Sequence, residues 1–280
     1  MNSISALFEE FSYKPRKSAG QNFLVDAGTL DAIEAVIECP PEDLLLEVGG
    51  GYGVLTDRLH KKTKKLVVVE VDHKLFAMLE RRFALVPDEV KLVKGDIMKL
   101  DVETFRPAPP GKITVAGNIP YYLTTPLITR LLTQSNSYVR RIYLMIQKEV
   151  ADRLIAGPGT KAYGALSLCA QYYGPAQKRV TVPASSFKPQ PKVDSAFVEL
   201  TLREKPLLNG SQEKLFFQLV RAIFQSRRKV LSNSLKSMGK PADLIGLALE
   251  KTGVKPGIRG EELGLEKLLE MARALDEVSP

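Results

Sequence analysis

From Leu44 onward, short apolar runs alternate with amphipathic stretches. LLLEV at Leu44–Val48 reads as a buried strand, followed by a glycine-rich turn and a helix through about His60. LVVVEV at Leu66–Val71 predicts a second strand, with a helix over His73–Ala84 behind it. VKLV at Val90–Val93 predicts a third. KITVAG at Lys112–Gly117, after a proline-rich loop at Pro107–Gly111, predicts a fourth. A helix around Thr125–Leu132 then leads to a fifth strand, RIYLMIQ at Arg141–Gln147. Apolar strands of this length between helices imply a parallel sheet covered on both faces. AQKRVTV (Ala176–Val182) and SAFVELTL (Ser195–Leu202) come late and close together, and read as a final pair with an antiparallel strand at the edge.

The pattern changes after Arg203. EKPLLNGSQ is turn-rich and reads as a linker. Glu213 to Leu275 then has helical periodicity, broken at Gly239–Lys240–Pro241 and Lys255–Pro256–Gly257. The expected organisation is an α/β domain over 1–203 and a small all-helical domain over 212–280.

Composition narrows the class. The 280 residues are 44% hydrophobic and 26% charged, an ordinary globular balance. No apolar run approaches the roughly 18–20 residues of a membrane span. Glu9 and Glu10 fall where a signal peptide would be apolar, so the expected location is cytoplasmic. Cys39 and Cys169 stand alone, and His60 and His73 are the only histidines, so no zinc-type spacing exists and no metal is expected. The net charge of +8 favours a polyanionic partner. That charge is concentrated: no acid lies between Asp152 and Asp194, and Arg221–Lys240 carries Arg221, Arg227, Arg228, Lys229, Lys236 and Lys240 without one.

Four strand ends carry candidate chemistry. Glu47-Val48-Gly49-Gly50-Gly51-Tyr52-Gly53 would let a ligand approach the main chain at the carboxyl end of the first strand. Its G-x-G-x-G spacing is not the dinucleotide fingerprint, and no G-K-[ST] follows. Glu70, about 20 residues on, sits where an acid hydrogen-bonds ribose hydroxyls. Asp96, after Gly95, could accept an adenine amine. The sharpest motif is Asn118-Ile119-Pro120-Tyr121. The Asn118 amide oxygen and the Ile119 carbonyl offer two acceptors at one point, on a turn stiffened by Pro120, with the Tyr121 ring beside them. An exocyclic amine on a flat base needs that set. Accepting both its hydrogens favours a pyramidal nitrogen whose lone pair can attack.

These motifs resemble the rRNA adenine N6-dimethyltransferases, which use S-adenosylmethionine. Gly20-Gln21-Asn22-Phe23-Leu24, the glycine loop, Glu70, Gly95-Asp96 and Asn118–Tyr121 follow in that family's order. Gln147-Lys148-Glu149-Val150-Ala151-x-Arg153 and Phe187-Lys188-Pro189-Gln190-Pro191-Lys192-Val193-Asp194-Ser195 are similar to its later motifs. Phe224-Gln225-Ser226-Arg227-Arg228-Lys229 looks like the bacterial small-subunit branch. One departure is Gly50, where the family usually has proline, a change expected to cost some loop stiffness and little else.

The resemblance implies a Rossmann-like class I methyltransferase with a mainly parallel seven-stranded sheet. It implies cofactor contacts from Asn22, Leu24, Gly49, Gly51, Glu70, Asp96 and Asn118. Asn118 and Ile119 would hold the target amine, while Tyr121 and Phe187 would stack on the adenine. The partner implied is 16S rRNA in an immature small subunit, acted on by a monomer, and rRNA phosphates are expected on Lys188, Lys192, Arg221, Arg227, Arg228 and Lys229. Three alternatives stand beside it: a large-subunit rRNA target, an assembly factor whose methylation is incidental, and a nicotinamide-dependent oxidoreductase, which the glycine spacing disfavours.

Overall fold

In the computed structural model, which describes residues 8–9, 11–16, 20–134, 137–225, 227 and 229–278, the apolar runs become the strands of one sheet. β2 (Leu44–Val48), β3 (Leu66–Glu70), β4 (Val90–Lys94), β5 (Ile113–Asn118) and β6 (Val139–Gln147) pair in parallel. Strands buried on both faces need no polar alternation. Accordingly every residue of β3 is buried, and Leu45, Leu46, Val115, Ile142 and Leu144 are wholly so. Each such aliphatic side chain is worth about 1.5–3 kcal/mol of burial.

The late pair is β7 (Ala176–Val182) and β9 (Ser195–Thr201), and with it the sheet has seven strands in the order β4-β3-β2-β5-β6-β9-β7. The pair does contain the antiparallel strand, but not at the edge. β9 inserts between β6 and β7 and runs antiparallel to both. The reason is legible in burial. β9 is buried from Ser195 to Leu200, whereas Gln177, Lys178 and Arg179 of β7 are exposed. Charged side chains suit the strand that ends a sheet. A separate two-stranded ribbon pairs β1 (Phe23–Leu24) antiparallel with β8 (Phe187–Lys188), joining two distant segments that sequence periodicity did not link.

Helices cover the sheet. The helix α1 (Ala27–Val36), which the periodicity did not single out, is capped by Asp26, whose carboxylate accepts from Thr29 N. The helix expected to reach His60 is a single turn, α2 (Thr56–Leu59). α3 (His73–Arg82) starts at Asp72, which caps Lys74 N and Leu75 N, and ends with Arg81 and Arg82 in its last turn. It buries Leu75, Met78 and Leu79 at helical spacing. α4 (Thr124–Gln134) follows the Asn118–Tyr121 turn. Among the described residues, no helix is long and apolar enough to cross a membrane.

The chain divides into two units, one formed by Met1–Ala151 with Pro175–Leu202 and the other by Asp152–Gly174 with Arg203–Pro280. The second unit thus takes in α6 (Ala165–Tyr173), placed after α5 (Lys148–Ile155), as well as the C-terminal helices. Those are α7 (Gly210–Gln225), α8 (Leu231–Leu235), α9 (Ala242–Lys251) and α10 (Leu265–Val278). The Tyr163 hydroxyl donates to the Leu263 carbonyl at 2.9 Å, which fastens the 152–174 segment inside this unit. Gly239 ends the α8 segment with φ +68°, a conformation that favours glycine.

Candidate functional site

The carboxyl ends of β2, β3, β4 and β5 open onto one cavity of about 480 Å³. Ligands bind at this end of an open parallel sheet because the chain turns outward there and leaves a crevice. Asn22, Leu24, Gly49, Gly51, Glu70, Asp96, Asn118, Ile119 and Tyr121 all line it. Most of the site residues singled out from sequence therefore meet at one place.

The glycine loop makes the floor. Gly49, Gly51 and Gly53 have φ of +77°, +58° and +90°, which L side chains rarely adopt. Glu70 anchors that loop. Its carboxylate accepts from Gly51 N at 2.9 Å through one oxygen, and from Val71 N at 2.9 Å and Asp72 N at 2.8 Å through the other. An ionised carboxylate offers about four lone-pair sites, so one further donor, such as a ribose hydroxyl, can still be accepted. Burial raises the Glu70 pKa, and the three N–H groups oppose that rise.

Glu47 lies under the loop, wholly buried. Thr56 Oγ1 donates to its Oε2 at 2.6 Å, while Oε1 has no partner. Burial pushes its carboxyl up to about 8. Asp96 Oδ1 accepts from Met98 N at 2.9 Å, and Asp96 lines the crevice together with Gly95, Ile97 and Met98.

The Asn118 amide nitrogen donates to the Asn22 carbonyl at 3.2 Å. That contact fixes which way the amide points, and leaves Oδ1 as an acceptor at the cavity wall. Asn22 is held in turn, its own amide donating to the Gly20 carbonyl at 3.3 Å. Asn22 leads directly into β1, whose pairing with β8 ties this segment down. Tyr121 is half-buried beside it, and its hydroxyl meets Ser195 Oγ at 2.7 Å. Burial raises the phenol pKa, so the group is neutral.

Phe187 behaves differently. It is 4% exposed and sits in the hydrophobic core with Leu24, Leu30 and Phe197, and it is not among the residues lining the cavity. As arranged here its ring packs the β1–β8 ribbon and offers no face to a base. Gly50 also departs from expectation. A Cβ built on it would meet Val68 Cγ1 at 2.5 Å and Leu79 Cδ1 at 2.9 Å. Core side chains have filled the space a side chain would need, so the change from proline involves packing as well as stiffness.

The basic candidates fall into two groups. Lys188, Lys192, Arg221 and Lys229 are exposed. Arg227 is engaged within its own unit: Nε pairs with Glu261 at 2.6 Å and NH1 donates to the Lys161 carbonyl at 3.1 Å. Arg228 lies outside the described residues.

Sequence reading missed several lining residues. Tyr52 donates to the Leu24 carbonyl at 2.7 Å, and joins Phe8, Tyr13 and Phe23 in an aromatic cluster at the rim. Arg16 pairs with Asp72 at 2.5 Å on the same lip. Val71, 63% exposed, follows Glu70 and supplies an apolar wall. Its one available signal was position, directly after the acid that ends β3.

The donor set fits an adenosine bearing a cationic side group: a cradle of glycines, a carboxylate with one lone pair in reserve, an apolar wall and a second carboxylate. Comparisons with known proteins identify the family. The family described as ribosomal RNA adenine dimethylase matches residues 12–277. The chain is 40% identical over 281 residues to ribosomal RNA small subunit methyltransferase A of Bacillus cytotoxicus, covering 98% of this chain and 96% of that one. It is 40% identical over 277 residues to the protein of the same name from Moorella thermoacetica, covering 96% of each. Among solved structures it is similar to a dimethyladenosine transferase from Plasmodium falciparum, with a TM-score of 0.80, 25% identity and coverage of 91% of this chain and 98% of that one. It is also similar to the 23S rRNA methyltransferase ErmE, with a TM-score of 0.72, 26% identity and coverage of 91% and 100%.

Proposed function

The chain belongs to the ribosomal RNA adenine dimethylase family, and from that premise we propose that it methylates N6 of adenines in small-subunit (16S) rRNA twice, using S-adenosylmethionine, in the cytoplasm on an immature subunit. The observation that carries this reading is the Asn118 amide, turned by Asn22 so that its oxygen remains an acceptor beside Tyr121. The relatives named for the small subunit support that choice of rRNA.

S-adenosylmethionine bound here would supply a methyl group already activated by a sulfonium charge. Glu70 would accept a ribose hydroxyl, Asp96 the adenine amine, and the backbone at Gly49 and Gly51 would allow close approach. Asn118 Oδ1 and the Ile119 carbonyl would each accept a hydrogen of the target amine and turn its lone pair toward the methyl. Tyr121 would stack on the flipped base, worth about 1–3 kcal/mol against an unstacking cost of a few. Orientation of this kind supplies roughly 7–11 kcal/mol when reacting atoms are aligned. After attack the nitrogen is cationic, and Asn118 Oδ1 holds its acidic hydrogen until water removes it.

The test is transfer of labelled methyl into rRNA of immature small subunits, followed by nucleoside analysis. N6,N6-dimethyladenosine in 16S rRNA is the expected product. Primer extension across both rRNAs separates this from a large-subunit target, the reading that likeness to ErmE would favour. A product confined to 23S rRNA would overturn the assignment.

A further inference from the structure

Adjacent tyrosines follow Pro120, and the structure treats them oppositely. Tyr122 is 69% exposed. Tyr121 is half-buried and its hydroxyl is 2.7 Å from Ser195 Oγ. Ser195 is wholly buried and opens β9, where it is flanked in register by Gln147 of β6 and Val182 of β7. Pairing with a strand on each side holds the Ser195 backbone in place. A buried serine and a half-buried phenol satisfy one another there, and among the described residues the wholly buried serine hydroxyl has no other bonding partner to replace the phenol.

We propose that Ser195 is a positioning residue that clamps the Tyr121 ring, and that the clamp matters more for the second methyl transfer than for the first. The proposal rests on the adenine N6 reading given above. An unmethylated amine has two hydrogens and can engage both Asn118 Oδ1 and the Ile119 carbonyl. After one transfer it has one hydrogen left, so one of those two contacts is lost. The orientation of the base then depends more heavily on the stacked ring. A ring free to librate about its χ angles would therefore harm the second step disproportionately.

Two variants test this, alone and together. Ser195→Ala removes the anchor, and Tyr121→Phe keeps the ring volume while removing the hydroxyl, which guards against a folding defect in the first. Single-turnover rates for each transfer are measured on 16S rRNA substrate, with donor affinity by calorimetry. Quenching of 2-aminopurine placed at the target position reports stacking without chemistry. Expected are an unchanged donor affinity, a first transfer slowed less than about threefold, a second slowed about tenfold with accumulation of N6-methyladenosine, and weakened quenching. The double variant should be no worse than either single one, since both remove one contact. Equal slowing of the two steps, additive losses, or unaltered quenching would overturn the proposal. Failure of the wild-type protein to methylate N6 at all would instead sink the functional reading beneath it.

Discussion

Asn118, at the end of β5, and Asn22, just before β1, are joined by a side-chain to main-chain hydrogen bond of 3.2 Å across 96 positions of sequence. The bond determines which end of the amide is left over. Replacing Asn118 by Asp should therefore fail even though an acceptor remains. A carboxylate has no N–H for the Asn22 carbonyl, so two acceptors would face each other and the side chain would swing away. Asn118→Asp and Asn118→Ala are both expected to slow methyl transfer by about 10²–10³, as loss of one preorganised polar group does elsewhere. Steady-state turnover assays alongside donor titration check this, with kcat falling more than KM rises.

Gly50 predicts a packing defect. A methyl at that position would press on Val68 and Leu79 at 2.5 and 2.9 Å. Gly50→Ala should destabilise the chain by about 1–3 kcal/mol, the usual cost of overfilling a close-packed core. Gly50→Pro should not recover the stiffness a proline would otherwise bring. Thermal unfolding of both variants measures the effect. A paired Leu79→Ala change should relieve part of the strain in Gly50→Ala, which separates crowding from backbone conformation.

Glu47 makes stability depend on pH in a particular direction. Its carboxyl is raised from about 4.5 in the unfolded chain to about 8 when folded, chiefly because burial disfavours the charge. Below pH 4.5 both states hold the proton and the group contributes nothing. Between 4.5 and 8 the unfolded state ionises first, so stability falls as pH rises, by on the order of 5 kcal/mol across the window. Glu47→Gln cannot ionise and keeps a partner for the Thr56 hydroxyl. Its melting temperature should gain on wild type as pH climbs from 5 to 8. A constant difference across that range would contradict the raised pKa.

What the sequence made legible was the strand ends. Short apolar runs located β2 to β6 because a two-sided parallel sheet demands uninterrupted burial, and chemistry-bearing residues at their carboxyl ends then had to converge. Residues that act through distant partners were less visible. Phe187 sits in a segment singled out only by its likeness to a family motif, and its ring packs against Leu24 and the core. Nothing local distinguishes an aromatic that faces a crevice from one that faces inward. The interior position of β9 was equally hidden, because apolar content marks a strand but not its neighbours. Arg227 lies in a run of cations, and its pairing with Glu261, 34 positions on, depends on tertiary folding alone.

The basic residues of the helical unit should separate by salt dependence. Each phosphate contact releases counterions and contributes about 0.9 to the slope of log affinity against log salt. Arg221 and Lys229 are exposed. Replacing either by Ala should flatten the slope by about 1 if it meets the rRNA backbone. Arg227 is already opposed by Glu261 and bound to the carbonyls of Thr160 and Lys161. Its guanidinium is therefore only partly available to phosphate, and removing it leaves the Glu261 carboxylate without that partner. Arg227→Ala should lower the melting temperature while changing the slope by less than Lys229→Ala does. Filter-binding titrations over a range of salt, run alongside thermal melts, give both quantities. A full unit lost from the slope with no change in melting would mean that Arg227 leaves Glu261 when RNA binds.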